Sequence, residues 1–147
     1  MAEEFRRFGI FEEHAKEYGA DPDRVDVWDA FSELFLDTSH TEEELDWIAT
    51  NIARSPFSFR ELGHILFNEL GPVCVGNLIA FPGGEWSGFD PDWLILKCLE
   101  RQKANPFKET ENLDRIPFFY HVLSPPFFEA YMMLYRVKRM RESRSNS

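Results

Sequence analysis

Four helix-start signals constrain the fold of this chain more than any other feature of its sequence. They are Asp21-Pro22, Thr41 to Glu44, Ser58 to Glu61 and Asp90-Pro91. In the two Asp-Pro pairs, a carboxylate can accept from the free amides of a first helical turn, and the proline after it has no amide to leave unpaired. The other two are capping boxes, in which a hydroxyl and a later glutamate satisfy backbone amides at a helix start. The chain is therefore expected to be built from short, separately capped helices.

Apolar residues recur three and four positions apart along the chain, which is typical of helices with one buried face. The pattern predicts helices over Glu3 to Tyr18, from Asp21 through Phe35, and over 41–54, 58–70, 91–103 and 127–140. The segment Pro72 to Ala80 is mostly apolar and fits either a short buried helix or a strand. We predict a helix there, because proline suits the first helical position, and we expect Gly71-Pro72 to end the helix before it.

The predicted fold is all-α: a compact single-domain bundle of six or seven helices over residues 1–142, followed by a frayed tail at 143–147. The helix at about 91–103 has little polar face and is expected to be central. Hydrophobic residues make up 44% of the chain, including 15 phenylalanines, so it can bury a substantial core. The main alternative is an α+β fold with a small hairpin formed by Val73 to Ala80 and part of Phe118 to Leu123.

Composition restricts the partners and the compartment. The net charge is −10, whereas nucleic-acid binding needs a basic surface that displaces counterions. No stretch is long and apolar enough to span a bilayer, and the N-terminus has no signal-peptide core. Cys74 and Cys98 lie in apolar runs and are expected to be reduced core residues. We expect a cytoplasmic protein that binds neither nucleic acid nor membranes.

Acidic residues are concentrated in the first third of the chain. Residues 1–48 carry 15 acidic and 4 basic side chains, whereas the remainder carries 11 and 12. An uneven charge distribution of this kind can be a solvated surface that keeps the protein soluble. It can equally be a docking surface that speeds association with a basic protein partner. The sequence is compatible with both interpretations.

The docking interpretation predicts a contact surface on the second and third helices. Asp26, Asp29 and Glu33 recur three and four residues apart, so they share a helical face. We expect that face to be exposed, opposite the apolar stripe at 31–35. Acidic residues at the start of the next helix extend it, and a tryptophan there supplies an aromatic anchor. The predicted partner-binding residues are Asp26, Asp29, Glu33, Asp37, Glu42, Glu43, Asp46, Trp47, Glu85 and Trp86.

The last two residues of that set come from the stretch Gly83 to Leu94, which combines turn residues, acids and two tryptophans. It is either a recognition loop with Glu85 and Trp86 at its tip or a tight corner held by aromatic side chains. Its carboxylates Glu85, Asp90 and Asp92 would also suit a small hydrolase. However, an acid at a helix start already has a role as a cap.

Motifs for metal, phosphate or nucleophilic chemistry are absent from the sequence. His14, His40, His64 and His121 are scattered and match no zinc-binding spacing. The glycine pair at 83–84 is followed by glutamate and lacks the lysine of a phosphate-binding loop. We therefore predict no catalytic residue, no cofactor and no metal.

Several segments resemble a small bacterial domain family with no assigned biochemistry. They are Trp28 to Asp37, Asn68 to Val73, Gly84 to Asp90 and Trp93-Leu94. The similarity covers roughly Val25 to Leu99, about half the chain, and it carries over no active-site residue.

In size, acidity and lack of catalytic motifs, the chain also resembles the small acidic immunity proteins that neutralise bacterial toxins. That resemblance implies a non-enzymatic protein that binds a cognate toxin or effector through a basic surface of the partner. A small hydrolase using the carboxylates named above, and an adaptor or scaffold subunit, are the alternatives.

Overall fold

The computed structural model describes residues 12–35, 40–80, 90–108 and 125–145, and their regular secondary structure is entirely helical. The α-helices are α1 (Glu12–Tyr18), α2 (Pro22–Ser32), α3 (Glu42–Ala53), α4 (Phe59–His64), α5 (Gly71–Ala80), α6 (Pro91–Ala104) and α7 (Pro125–Ser145). A 3-10 turn, Glu33–Phe35, extends α2, and a π-helical segment, Ile65–Leu70, joins α4 to α5. The all-α prediction is confirmed, since the described residues contain no strand.

All four predicted helix caps are present. The side chain of Asp21 accepts from the amide of Asp23 at 3.0 Å, and that of Asp90 accepts from the amide of Trp93 at 2.9 Å. The hydroxyls of Thr41 and Ser58 each accept, at 3.1 Å, from the amide three residues later. Capping joins groups within one helical turn, so these starts are encoded locally and the sequence predicts them well.

The predicted helix end at Gly71-Pro72 is wrong, because the chain stays helical from residue 59 to residue 80. The π-helical segment lets the amide of Gly71 donate to the carbonyl five residues back. Pro72 has no amide to offer the carbonyl of Asn68, and Arg101 of α6 donates to that oxygen through Nε at 2.9 Å. A side chain from another helix thus supplies the missing bond, and the segment at 72–80 is helical as predicted.

Most of α2 is buried. Eight of its 11 residues are buried, and it packs against α1, α3, α6 and the π-helical segment. In α6, which we expected to be central, the buried residues are Leu94, Ile95 and Cys98, while Leu96 is 44% exposed. The helix therefore buries one face and presents the other to solvent. Cys74 and Cys98 are free and buried, as predicted.

The last helix lies beside α3 and points in the same direction. Arg136 pairs with Asp46, and further along both helices Met140 contacts Thr50. At the far end, Arg141 donates to the carbonyl oxygens of Ala53, Ser55 and Phe57 at 3.2, 3.1 and 2.7 Å. These bonds satisfy carbonyls at the C-terminal end of α3 and in the turn after it, which the helix itself leaves free. α7 runs to Ser145, into the segment predicted as a frayed tail.

Candidate functional site

The acidic face predicted on α2 is not a solvent-exposed surface. Asp29 is fully buried, and Asp26 and Glu33 are half-buried. A spacing of three and four residues identifies a shared face, but it does not show which elements cover that face. Here α2 is enclosed by its neighbours on several sides, so the prediction that Asp29 faces solvent is wrong.

The start of α3 does present acidic side chains to solvent. The side chains of Glu42 and Asp46 are 81% and 62% exposed, and Glu43 is exposed beside them. Trp47, the expected aromatic anchor, is half-buried. We call Glu42, Glu43 and Asp46 the acidic turn; it is the part of the predicted docking surface that the structure leaves most accessible.

Arg136 of α7 binds two members of the acidic turn. Its Nη1 lies 2.6 Å from Asp46 Oδ1, and its Nη2 lies 2.9 Å from Glu42 Oε2. The two carboxylates are four residues apart on one helical face, so a single planar guanidinium can reach both. Glu43 makes no ion pair with any residue that the structure describes. Three carboxylates against one guanidinium leave this surface negative.

A cleft of about 440 Å³ lies next to this ion pair, between α3 and α7. Its lining residues are Asp46, Arg136, Arg139, Met140, Ser143 and Arg144. Its lining contains one acid and three arginines, together with a serine and an apolar methionine. A partner that docks on the acidic turn therefore has an adjoining concave surface with polar and apolar contacts.

A second charged group, which was not predicted from the sequence, lies in the core. Glu69 is fully buried and accepts from Arg24 through Nε at 2.9 Å and Nη2 at 2.6 Å. Trp28 Nε1 donates to the same carboxylate at 3.0 Å, and Arg24 also reaches Glu61 at 3.0 Å. Burial lowers the pKa of Arg24, but the hydrogen bonds and charges of the two glutamates outweigh it and raise the pKa. The group links α2 to α4 and the π-helical segment as a closed structural contact.

His64 lies beside this buried group and is 1% exposed. Its Nε2 is 2.8 Å from the carbonyl oxygen of Asn105, and its Nδ1 is 3.1 Å from the amide nitrogen of Asn68. A carbonyl accepts and an amide NH₂ donates, so these contacts suit a ring proton on Nε2. Both ring nitrogens are engaged in structural contacts, which leaves neither for a metal or a substrate.

A third cluster is at the surface, where α1 meets the first turn of α6. His14 Nδ1 lies 3.0 Å from Asp92 Oδ1, and one ligand atom from each of His14, Glu17 and Asp92 lies within 4.8 Å of the others. The side chains of His14 and Asp92 are 34% and 44% exposed. A hydrogen bond to Asp92 is the main cause that raises the pKa of Tyr18. No sequence spacing reveals this cluster, because His14 and Asp92 are 78 positions apart.

The structure places two of the three carboxylates considered for a hydrolase. Asp90 caps α6, and Asp92 contacts His14. Glu85 lies outside the described residues, as do Asp37 and Trp86 of the predicted docking surface.

Comparison with known proteins identifies a family but no activity. A family model described as "Domain of unknown function (DUF7079)" matches residues 22–142. No curated protein and no solved structure matches the chain. Within the described ranges, no helix combines the length and the apolar character needed to cross a membrane.

Proposed function

Since the chain belongs to the DUF7079 family, whose description leaves its biochemistry open, we propose that it is a non-enzymatic protein that neutralises a cognate bacterial toxin or effector. It acts in the cytoplasm by docking on a basic surface of that partner, which is a protein and neither a nucleic acid nor a membrane. The observation that carries the proposal is the exposed acidic turn at the start of α3.

The acidic turn has features that favour rapid docking of a basic protein. Arg136 holds Glu42 and Asp46 in place, so less side-chain freedom is lost when a partner binds. Glu43 projects beside them and is available to a lysine or arginine of the partner. The strong acidic bias of residues 1–48 adds a long-range attraction for a basic molecule.

Two further observations support binding over catalysis. The buried ionisable residues Arg24, Glu69 and His64 are engaged with one another and with the backbone, so they serve the fold. Asp90 is used as a helix cap. A binding function needs only surface shape and charge, and the acidic turn with its adjoining cleft offers both.

The test begins with a candidate toxin domain, encoded beside this chain or recovered with it from its native host. Co-expression with that domain should restore growth of a bacterial host. Surface plasmon resonance at two salt concentrations should show that Glu42→Lys with Glu43→Lys slows association about tenfold and flattens its salt dependence. Glu100→Lys, which reverses an exposed acid on α6, is the matched control and should leave the rate nearly unchanged.

Three results would contradict the proposal. The wild-type chain could fail to protect against the toxin domain and fail to bind it. The Glu100→Lys control could slow association as much as the double variant, which would remove the acidic turn from the interface. A turnover reaction catalysed by the purified chain would contradict its non-enzymatic character.

A further inference from the structure

We propose that His14, Glu17 and Asp92 form a binding site for one divalent transition-metal ion of the zinc and cobalt class. The site joins α1 to the first turn of α6. It shares no residue with the acidic turn of α3, so a test of this site is independent of the proposed toxin-binding function.

The positions of the ligand atoms suit one ion. His14 and Glu17 are three residues apart on α1, so both side chains lie on the same helical face towards α6. Two ligands that lie about 2.1 Å from a tetrahedral zinc ion are about 3.4 Å apart. The distance from His14 Nδ1 to Asp92 Oδ1 is 3.0 Å, which is a hydrogen-bond distance, so these two partly exposed side chains need to separate only slightly to hold an ion. Glu17 is exposed and has freely rotating side-chain bonds, which lets its carboxylate close the remaining distance within the 4.8 Å cluster.

The donor set determines the class of ion. A neutral imidazole with two carboxylates suits zinc, cobalt and related ions, whereas magnesium and calcium prefer oxygen ligands alone. Cys74 and Cys98 are buried in the core, so this surface site offers no thiolate that would select a softer ion. The two carboxylate charges balance a divalent cation, and three protein ligands leave further positions for water.

The test is titration of the full chain, after treatment with a chelator, with zinc by calorimetry and with cobalt by visible absorption. We expect one equivalent of zinc to bind, and cobalt to give a ligand-field spectrum. His14→Gln and Asp92→Asn should each weaken zinc binding at least tenfold, because each removes a ligand. The matched control is Glu13→Gln, which changes the exposed acid next to His14 and should bind like the wild-type chain.

Circular dichroism of each variant separates loss of a ligand from loss of the fold. The side chains of His14 and Asp92 are both partly exposed, so both variants are expected to fold. The proposal is overturned if the wild-type chain binds no stoichiometric zinc. It is also overturned if the folded His14→Gln variant binds zinc as tightly as the wild-type chain, since the ion would then lie elsewhere.

Discussion

Arg24 and Glu69 share two hydrogen bonds in the core, from Nε to Oε1 at 2.9 Å and from Nη2 to Oε2 at 2.6 Å. The fork of the guanidinium matches the two oxygens of the carboxylate, which makes this a strong and directional contact. The exposed fractions of the two side chains are only 7% and 0%. Since neither charge can be solvated, each depends on the other, and the pair fixes α2 against the helix at 59–80.

Removing the buried carboxylate charge should therefore destabilise the protein strongly. Glu69→Gln leaves Arg24 charged in a site with little water, and we expect the free energy of unfolding to fall by about 3–5 kcal/mol. The control is Glu61→Gln, which removes a more exposed partner of the same arginine and should cost about 1 kcal/mol. Urea denaturation followed by circular dichroism measures both, and equal losses would show that Arg24 does not depend on Glu69.

Two adjacent residues of α6 should differ sharply in their contribution to stability. Ile95 is fully buried, so Ile95→Ala should cost about 2–5 kcal/mol through lost burial and a residual cavity. Leu96 is 44% exposed, so Leu96→Ala should change the free energy of unfolding by less than about 0.5 kcal/mol. Chemical denaturation of the two variants in parallel provides the measurement. A large loss at Leu96 would mean that a partner or another segment covers it.

The hydrogen bond from Arg101 to the carbonyl of Asn68 should be energetically coupled to Pro72, because Pro72 has no amide to donate to that carbonyl. Arg101→Gln leaves that oxygen without its donor and should cost about 1–3 kcal/mol. Pro72→Ala restores a backbone amide to the helix, so the same Arg101 substitution should cost less in that background. A double-mutant cycle on unfolding free energies gives the coupling, expected to be about 0.5–3 kcal/mol. Strict additivity would show that the two features are unrelated.

The two cysteines should be protected from modification while the chain is folded. Burial raises the pKa of both Cys74 and Cys98 well above the ordinary value of a thiol. At pH 8 they should react with iodoacetamide only after denaturation, as mass spectrometry of timed samples would show. Rapid labelling of the folded protein would contradict this burial.

The same shift predicts how stability depends on alkaline pH. In the unfolded chain the thiols titrate near pH 8.5, whereas in the folded protein they keep their protons to higher pH. The contribution of the two buried thiols to the free energy of unfolding is therefore complete below about pH 8.5 and is lost as the pH rises further. A double Cys74→Ala, Cys98→Ala variant should lose less stability between pH 8 and 10 than the wild-type chain, by denaturation at each pH. Parallel curves for the two proteins would rule out the cysteines as the cause.

The parts of the fold that depend on neighbouring residues could be predicted from the sequence. The caps at Asp21, Thr41, Ser58 and Asp90 each use an amide within three positions, and all four are present. The predicted helix end at Gly71-Pro72 was wrong because a distant residue supplies the hydrogen bond that Pro72 cannot make. Arg101 lies 33 positions from the carbonyl it binds, and no local rule includes such a contact.

The site was less predictable than the fold, for a related reason. Helical periodicity placed Asp26, Asp29 and Glu33 on one face, but only tertiary packing decides whether that face meets solvent. Asp29 is buried because other helices cover it, and an aspartate in the sequence carries no signal of that burial. The pairs Arg24–Glu69 and His14–Asp92 join residues 45 and 78 positions apart, so the sequence analysis missed both.

The contacts of α7 also bear on how the protein is made. Arg136 pairs with a residue 90 positions earlier in the chain, and Arg141 binds carbonyls at the end of α3 from a similar distance. During synthesis, α3 leaves the ribosome long before the helix that covers its apolar side and satisfies its last carbonyls. Contacts between such distant segments slow folding and leave apolar surface open to aggregation in the meantime. The fold can therefore close only after α7 has left the ribosome.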